Sequence, residues 1–558
     1  MTTGPTTTGS HARELVGTRQ LVGTARLLRL ALRRDRILLP VWLLSLLGLV
    51  VATVASIVEL YGTEAERTQY ALIAAGNVVA RAFDGPMSGT SLGAIVMTEV
   101  FGFLAVLVGI MSVQTLVRHT RLEEETGRSE LIGATVVGRH APLSAALILV
   151  VATNLLLAVL MTVVLLAWGL PVAGSVLAGA ATLLVGLTFA GVAAVAAQIA
   201  GTARGANAIG GAVVGMAFLL RAVGDALGTV TDSGVVLVSA WPSWGSPIGW
   251  GQQVRAFHDE RVWVLLLPLA ATVALLLVAV ALTRHRDVGS GMLPERPGPA
   301  RAGRSLRSPA GLAWRLHRGA LLWWTLGLAV MAAAIGAITH EVAELLETSD
   351  ELAALIGDAG DATALTEMYV AFALLLLSYA VAAELVQAVL RVRVEEVTGR
   401  AEPVLATAVG RGRLLGAHLQ WAVLGAVLGL LVLGLVAGTV DRLVAGDQAV
   451  GLATWLAASL VPLPAVLVVA GTAVLAVGWV PRASVPVAWG ALLLVLVIGQ
   501  FGGLLQLPEV VMELSPFTHL PAVPAEDLEL PPLLVLTGVA TLLFLGGFLG
   551  WRRRDLHT

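Results

Sequence analysis

Apolar runs of about 20 residues follow one another along the chain, broken by short polar stretches in which arginine recurs, and that run length matches the hydrocarbon thickness a membrane helix must cross. They predict twelve transmembrane helices, at 37–57, 94–116, 143–169, 173–199, 207–226 and 263–283, then at 319–339, 368–390, 414–440, 449–478, 484–506 and 531–550. The runs are too long and too evenly apolar for the alternating strands of about ten residues that build a membrane barrel. The expected fold class is an all-α polytopic membrane protein, its helices arranged as two six-helix repeats in parallel orientation.

Two polar stretches interrupt the pattern at matching places. Residues 121–130 read Arg-Leu-Glu-Glu-Glu-Thr-Gly-Arg-Ser-Glu, and residues 393–402 read Arg-Val-Glu-Glu-Val-Thr-Gly-Arg-Ala-Glu. The likeness runs on, since Ala134, Thr135, Val137, Gly138 and Arg139 return as Ala406, Thr407, Val409, Gly410 and Arg411. Further matches keep the same order: Thr98 and Glu99 with Thr366 and Glu367, Ser246 and Pro247 with Ser515 and Pro516, and residues 33–42 with 315–324. Together they indicate an internal duplication. Gly127 and Gly399 stand where a helix continuing from the preceding span needs a left-handed terminator. A second short helix is expected from near Glu130 and Glu402 to Gly138 and Gly410, with Pro403 accommodated in its first turn. Glu124 and Arg128, and Glu396 and Arg400, are also spaced i,i+4 with Glu first, the favourable order if the helix reaches that far. The product is a stiff elbow with a small apolar face, Leu131, Ile132 and Val136 in one copy and Val404, Leu405 and Val409 in the other. A solvated loop that only fixes topology is the simpler account of a lone charge run. Duplication of the whole pattern, glycines and apolar face included, favours a docking element for a soluble partner.

Composition sharpens the class. Hydrophobic residues make up 57% of the chain and charged residues 13%, and mean hydropathy is +0.87. All 35 basic residues are arginine. With no lysine, the chain lacks the residue a P-loop uses to reach the β- and γ-phosphates, and Schiff-base chemistry is excluded too. No cysteine is present, the histidines show no metal-ligand spacing, and no catalytic constellation emerges. No catalytic residue, metal or nucleic-acid partner is therefore expected. Arginine concentrates in alternate connections, which puts both termini and both Glu-Glu-x-Thr-Gly-Arg copies in the cytoplasm and the chain in the cell membrane as a multi-pass protein. The expected organisation is a cytoplasmic segment 1–36 that is disordered over 1–12 and carries a basic amphipathic helix over 13–36. A six-span half 37–283, a polar linker 284–312, a second elbow and half 313–550, and a tail 551–558 follow. The first run is too long for a cleavable signal peptide.

Ionisable groups inside spans are costly and invite a functional reading. Glu99, Glu367 and Arg221 are candidates for a substrate path or gate. Against that stand water-satisfied positions at the outer ends of the spans for Glu99 and Glu367, and a local pair with Asp225 for Arg221. Glu384, without a counterpart in the second span, reads as structural or gating; Asn154 and Gln198 read as interhelical hydrogen-bonding groups. The tryptophan-rich stretch 241–250 reads as an interfacial aromatic belt.

On these residues the chain resembles the membrane subunit of an ABC-2 type, or type V, ABC exporter, and within it the duplicated permeases of the tetronasin-resistance or polyketide-antibiotic exporter family. The resemblance covers the chain from about residue 13 onward. It implies that Glu123, Glu124, Thr126, Gly127, Arg128 and Glu130, with Glu395, Glu396, Thr398, Gly399, Arg400 and Glu402, form two ATPase-coupling elements. It further implies external re-entrant elements around Ser246-Pro247 and Ser515-Pro516. The implied partners are two copies of a separate ABC ATPase, which bind ATP and Mg2+, together with membrane lipids and a hydrophobic or amphiphilic small-molecule substrate such as an antibiotic. The chain itself would bind no cofactor. A secondary carrier of the major facilitator type, or a membrane scaffold for a cytosolic ATPase, are the alternative readings at this stage.

Overall fold

A computed structural model describes residues 20–283, 285, 291–292, 300–348, 362–446, 449–502 and 507–555. The expected disordered stretch 1–12 and, within the linker 284–312, residues 284, 286–290 and 293–299 lie outside them. The chain divides into two compact units, Met1–Pro297 and Gly298–Thr558.

In the first unit, α1 (Thr24–Arg34) is the short amphipathic helix and α2 (Leu38–Leu60) the first span. Two short helices, α3 (Glu64–Gly76) and α4 (Val78–Phe83), lead to α5 (Leu92–Arg118), the second span. The elbow is α6 (Arg121–Glu125) and α7 (Arg128–Gly133). Spans α8 (Ala141–Ala167), α9 (Val172–Ile199) and α10 (Ala203–Ala226) follow. A two-stranded antiparallel ribbon then pairs Thr229 with Val238 and Val230 with Leu237. Short α11 (Trp241–Trp244) and α12 (Pro247–Gln253), a 3-10 turn, and the sixth span α13 (Leu266–Thr283) complete the unit.

The second unit repeats the plan: α14 (Pro309–Thr348), α15 (Ala362–Val397), the elbow helix α16 (Ala401–Leu405), α17 (Arg411–Ala445), α18 (Leu452–Leu460) continuing into α19 (Leu463–Trp479), α20 (Ser484–Phe501), short α21 (Glu509–Met512), a 3-10 turn Pro516–His519, and α22 (Leu530–Arg553). Among the described residues eleven helices are long and apolar enough to cross a membrane. The twelfth expected span, 484–506, is represented by the 18 residues of α20, about 27 Å at the α-helical rise, and 503–506 lie outside the described residues. The protein is an all-α polytopic membrane protein.

Burial repeats along with the sequence. In the first unit 72% of the apolar window of the second span and 67% of that of the fourth lie buried, against 28% for the first and 22% for the sixth. The corresponding values in the second unit are 61%, 61%, 28% and 22%. Each unit is thus built on its second and fourth spans, which explains why those helices are rich in small residues: without a hydrophobic drive between helices in lipid, close backbone approach supplies the packing energy. Phe189 of α9 packs on Gly109 of α5, and Asn154 of α8 on Gly186 of α9. In the second unit Gly478 of α19 meets the carbonyl of Gly547 in α22, and a Cβ added at Gly478 would lie 2.3 Å from that oxygen. Gly478→Ala is therefore expected to force the two helices apart and cost about 1–3 kcal/mol, as overpacking does. Thermal unfolding of the detergent-solubilised protein checks it, with Gly490→Ala, where a Cβ has nothing within 4 Å, as the unchanged control.

Two elbows and their anchors

At the end of α5 the chain turns through Gly127, whose φ of 71° is left-handed, and Gly399 does the same with φ of 70°. A side chain at either position would meet nothing within 4 Å, so the requirement for glycine is one of backbone conformation alone. The motif threonines add a hydroxyl bond to carbonyls that their own amides already hold at the helix end. Thr126 Oγ1 donates to the Leu122 carbonyl at 2.8 Å and Thr398 Oγ1 to that of Val394 at 2.7 Å. Thr135 and Thr407 repeat the device, donating to Ile132 and Val404 at 2.6 Å. Those turns end the short helices at Gly133 and Leu405 rather than at the expected Gly138 and Gly410.

The acids take other partners than helical spacing assigned. Arg128 lies 3.6 Å from Glu123 and Arg400 3.3 Å from Glu395, while Glu124 pairs with Arg121 at 2.6 Å and Glu396 with Arg393 at 2.8 Å. The Glu124–Arg128 and Glu396–Arg400 pairs, which needed the helix to reach that far, do not form, because the left-handed glycine breaks the helix between the members and i,i+4 no longer means one face. The substitution is the same in both copies.

Beyond the motif the two anchors differ. In the first elbow Arg121, 1% exposed, donates from Nε to the Gly201 carbonyl at 2.9 Å, and Glu125 accepts from the Ala203 amide at 2.8 Å. Those contacts bolt the elbow to the connection between the fourth and fifth spans. Glu123 is also bonded by Arg34 of the amphipathic helix. Asp35, fully buried, holds His119 Nε2 at 2.6 Å and Arg118 Nε at 3.1 Å. Main-chain bonds from Gly138 to Val22 and from His140 to Gln20 finish the joint. A cavity of about 510 Å³ lies between α1 and this elbow, with Leu27, Leu30, Arg34, Ile132, Val137 and Leu143 in its wall.

In the second elbow Glu395 and Glu396 are 8% and 4% exposed. Glu396 accepts two parallel bonds from Arg554, at 2.8 and 2.6 Å, the bidentate geometry that makes such pairs strong. Arg554 stacks over Trp551, and the two residues bond Arg411 through its carbonyl and its guanidinium. The charged tail seen in the sequence thus closes onto its own elbow. Asp35, His119 and Arg554 were not singled out as site residues; a lone acid inside the arginine run 33–36 and the Trp-Arg-Arg-Arg ending were the available signals.

What remains on the surface is a second set. Thr126, Arg128, Glu130, Thr398, Arg400 and Glu402 are exposed, as are Leu131 at 75% and Val136 at 88%. Ile132, Val404, Leu405 and Val409 are half-buried.

The remaining candidates fall at the end of each unit away from its elbow. Glu99 is bonded by Tyr70; Glu367 is half-buried. Arg221 is fully buried, 3.6 Å from Asp225, and donates to the carbonyls of Phe83 and Arg81. Asp84 in the same loop has its pKa pushed up to about 6, because burial penalises its charge more than the Arg221 guanidinium relieves it. The serines of the two matched Ser-Pro pairs repeat one contact: Ser246 Oγ bonds the Ala217 carbonyl of the fifth span at 2.6 Å, and Ser515 Oγ that of Val495 in α20 at 3.4 Å. Pro247 opens α12 and Pro516 the 3-10 turn. Among the described residues no cluster of three or more metal-ligating side chains occurs.

A family model described as the C-terminal domain of the multidrug efflux system permease Rv1217c matches residues 306–552. The multidrug efflux system permease protein Rv1217c of Mycobacterium tuberculosis is 39% identical over 537 residues, which cover 96% of this chain and 95% of the relative. Two helical units that repeat one plan, each ending its second span in the same latched elbow, and this full-length likeness lead to one conclusion: the chain belongs to the Rv1217c family of multidrug efflux permeases.

Proposed function

We propose that this permease is the membrane half of an ATP-driven ABC exporter of the tetronasin-resistance type, and that its two elbows are the docking points for two copies of a separate ATPase. The observation that supports this most is the division within each elbow. Its inner acids and arginine are spent on internal bonds, while its outer glutamate, and in the first copy Leu131 and Val136, face solvent; the threonine and the outer arginine are exposed too, although each also bonds within the elbow. ATP and Mg2+ belong to the partner, since a chain without lysine offers no P-loop. Both elbows and both termini are cytoplasmic in this reading, as arginine placement requires. The cargo is a hydrophobic or amphiphilic compound, antibiotics included.

The internal bonds say how work would be delivered. A push on the first elbow passes through Arg121 and Glu125 to the start of the fifth span, and through α6 to the second. A push on the second reaches the third and last helices of its unit through Arg411 and Arg554. Rocking of the packed helices of a unit then requires no bending of any one of them. Purification of the chain with its ATPase should give two ATPase copies per permease, with ATP-dependent dye uptake into inverted vesicles. A single copy, or transport on a proton gradient without ATPase, would refute the reading.

A further inference from the structure

Aligning residues 121–130 on 393–402, and 137–139 on 409–411, carries the duplication back into the spans and sets Ser112 against Glu384 and Thr153-Asn154 against Gly425-Ala426. In the first unit this level is a closed, neutral pair: Asn154 Nδ2 donates to Ser112 Oγ at 3.0 Å, and both side chains are buried. In the second unit the hydroxyl has become a carboxylate and the asparagine an alanine. Gly425 makes the room, since a Cβ there would lie 3.1 Å from Glu384 Oε1 and 2.3 Å from Leu321 of α14. Glu384 is 4% exposed, and its Oε2 has no hydrogen-bond partner among the described residues. The nearest cation along its own helix, Arg391, lies 3.4 Å from Glu395. His317 and His418 are bonded to one another at 3.0 Å. One turn from Glu384, Gln387 accepts from Trp324 Nε1 at 2.7 Å, which fixes an indole beside the same face of α15.

A buried carboxylate without a counter-ion is costly, and a cation delivered to it recovers that cost. An indole one turn away can add cation–π attraction to a cation bound there. We propose that Glu384, with Trp324 held by Gln387, is the site at which this permease recognises the positive charge of lipophilic cations, a specificity that resides in the second unit alone. This rests on the multidrug efflux reading above. The first unit carries a tryptophan at the corresponding position, Trp42, but no acid.

Equilibrium binding of radiolabelled tetraphenylphosphonium to the purified chain, with neutral triphenylphosphine oxide as the comparison, tests the site. Glu384→Gln should weaken tetraphenylphosphonium by about tenfold or more and leave the neutral compound within about twofold. Glu384→Asp should retain cation binding. The double variant Glu384→Ser with Ala426→Asn rebuilds the hydrogen-bonded pair of the first unit, so it should melt like the parent yet bind the cation as poorly as Glu384→Gln. Equal cation binding by the parent and Glu384→Gln, no saturable cation binding by the parent, or equal loss of both compounds in the rebuilt double variant would overturn the proposal. Uptake into inverted vesicles with the ATPase present separates the two claims. Glu384-dependent binding without ATP-dependent uptake of either compound defeats the efflux reading and leaves the cation site standing.

Discussion

Glu396→Ala is expected to destabilise the second unit by about 3–5 kcal/mol, because it removes one partner of a buried pair and strands the other. Two guanidiniums lose their counter-charge at once, Arg393 at 2.8 Å and Arg554 at 2.6 Å. Arg554 is also part of the Trp551–Arg411 joint, so its release loosens the start of α17. Thermal unfolding of the purified chain checks this, and Arg554→Ala should reproduce most of the loss. The double change should cost less than the two single losses summed, since each removes the same contact. A Glu396→Ala protein that melts with the parent would show that the pair contributes nothing. Glu130→Ala, on the exposed side of the other elbow, should be silent in the same assay.

Leu131→Arg combined with Val136→Arg should have the opposite profile. Both side chains are largely exposed, so the fold is expected to tolerate them with a change within about 0.5 kcal/mol. Burying two added charges in a docking interface is costly, and retention of the ATPase should fall by about tenfold or more. Copurification at matched expression measures it, together with drug tolerance of the producing cells. Undiminished recovery of ATPase would place the docking surface elsewhere than on the first elbow. Paired with Glu396→Ala, the experiment separates residues that hold an elbow in shape from those that meet a partner.

The apolar pattern sufficed for the helices, because a span's length is set by the membrane rather than by its neighbours. It also marked Gly127 and Gly399, since a terminating glycine is a local demand. What the acids do was not legible. The i,i+4 spacing offered Glu124 and Glu396 the arginine four residues on only if the helix continued, whereas the left-handed glycine three residues after each ends it and turns the next residue away. The anchors at Gly201, Ala203 and Arg554 were out of reach for a different reason: they lie 78 to 158 residues from their partners, and no spacing rule spans such distances. Glu384 reads from its own span only as structural or gating; the contrast with the Ser112–Asn154 pair is what sets it apart.

The unequal reach of the anchors bears on biogenesis. The first elbow is locked by Arg34, Gly201 and Ala203, none more than 89 residues from its partner, so it is complete while the ribosome is still translating the first unit. The second waits for Arg554, made 158 residues after Glu396. Nascent chains therefore carry one finished knuckle and one slack one until the last helix inserts.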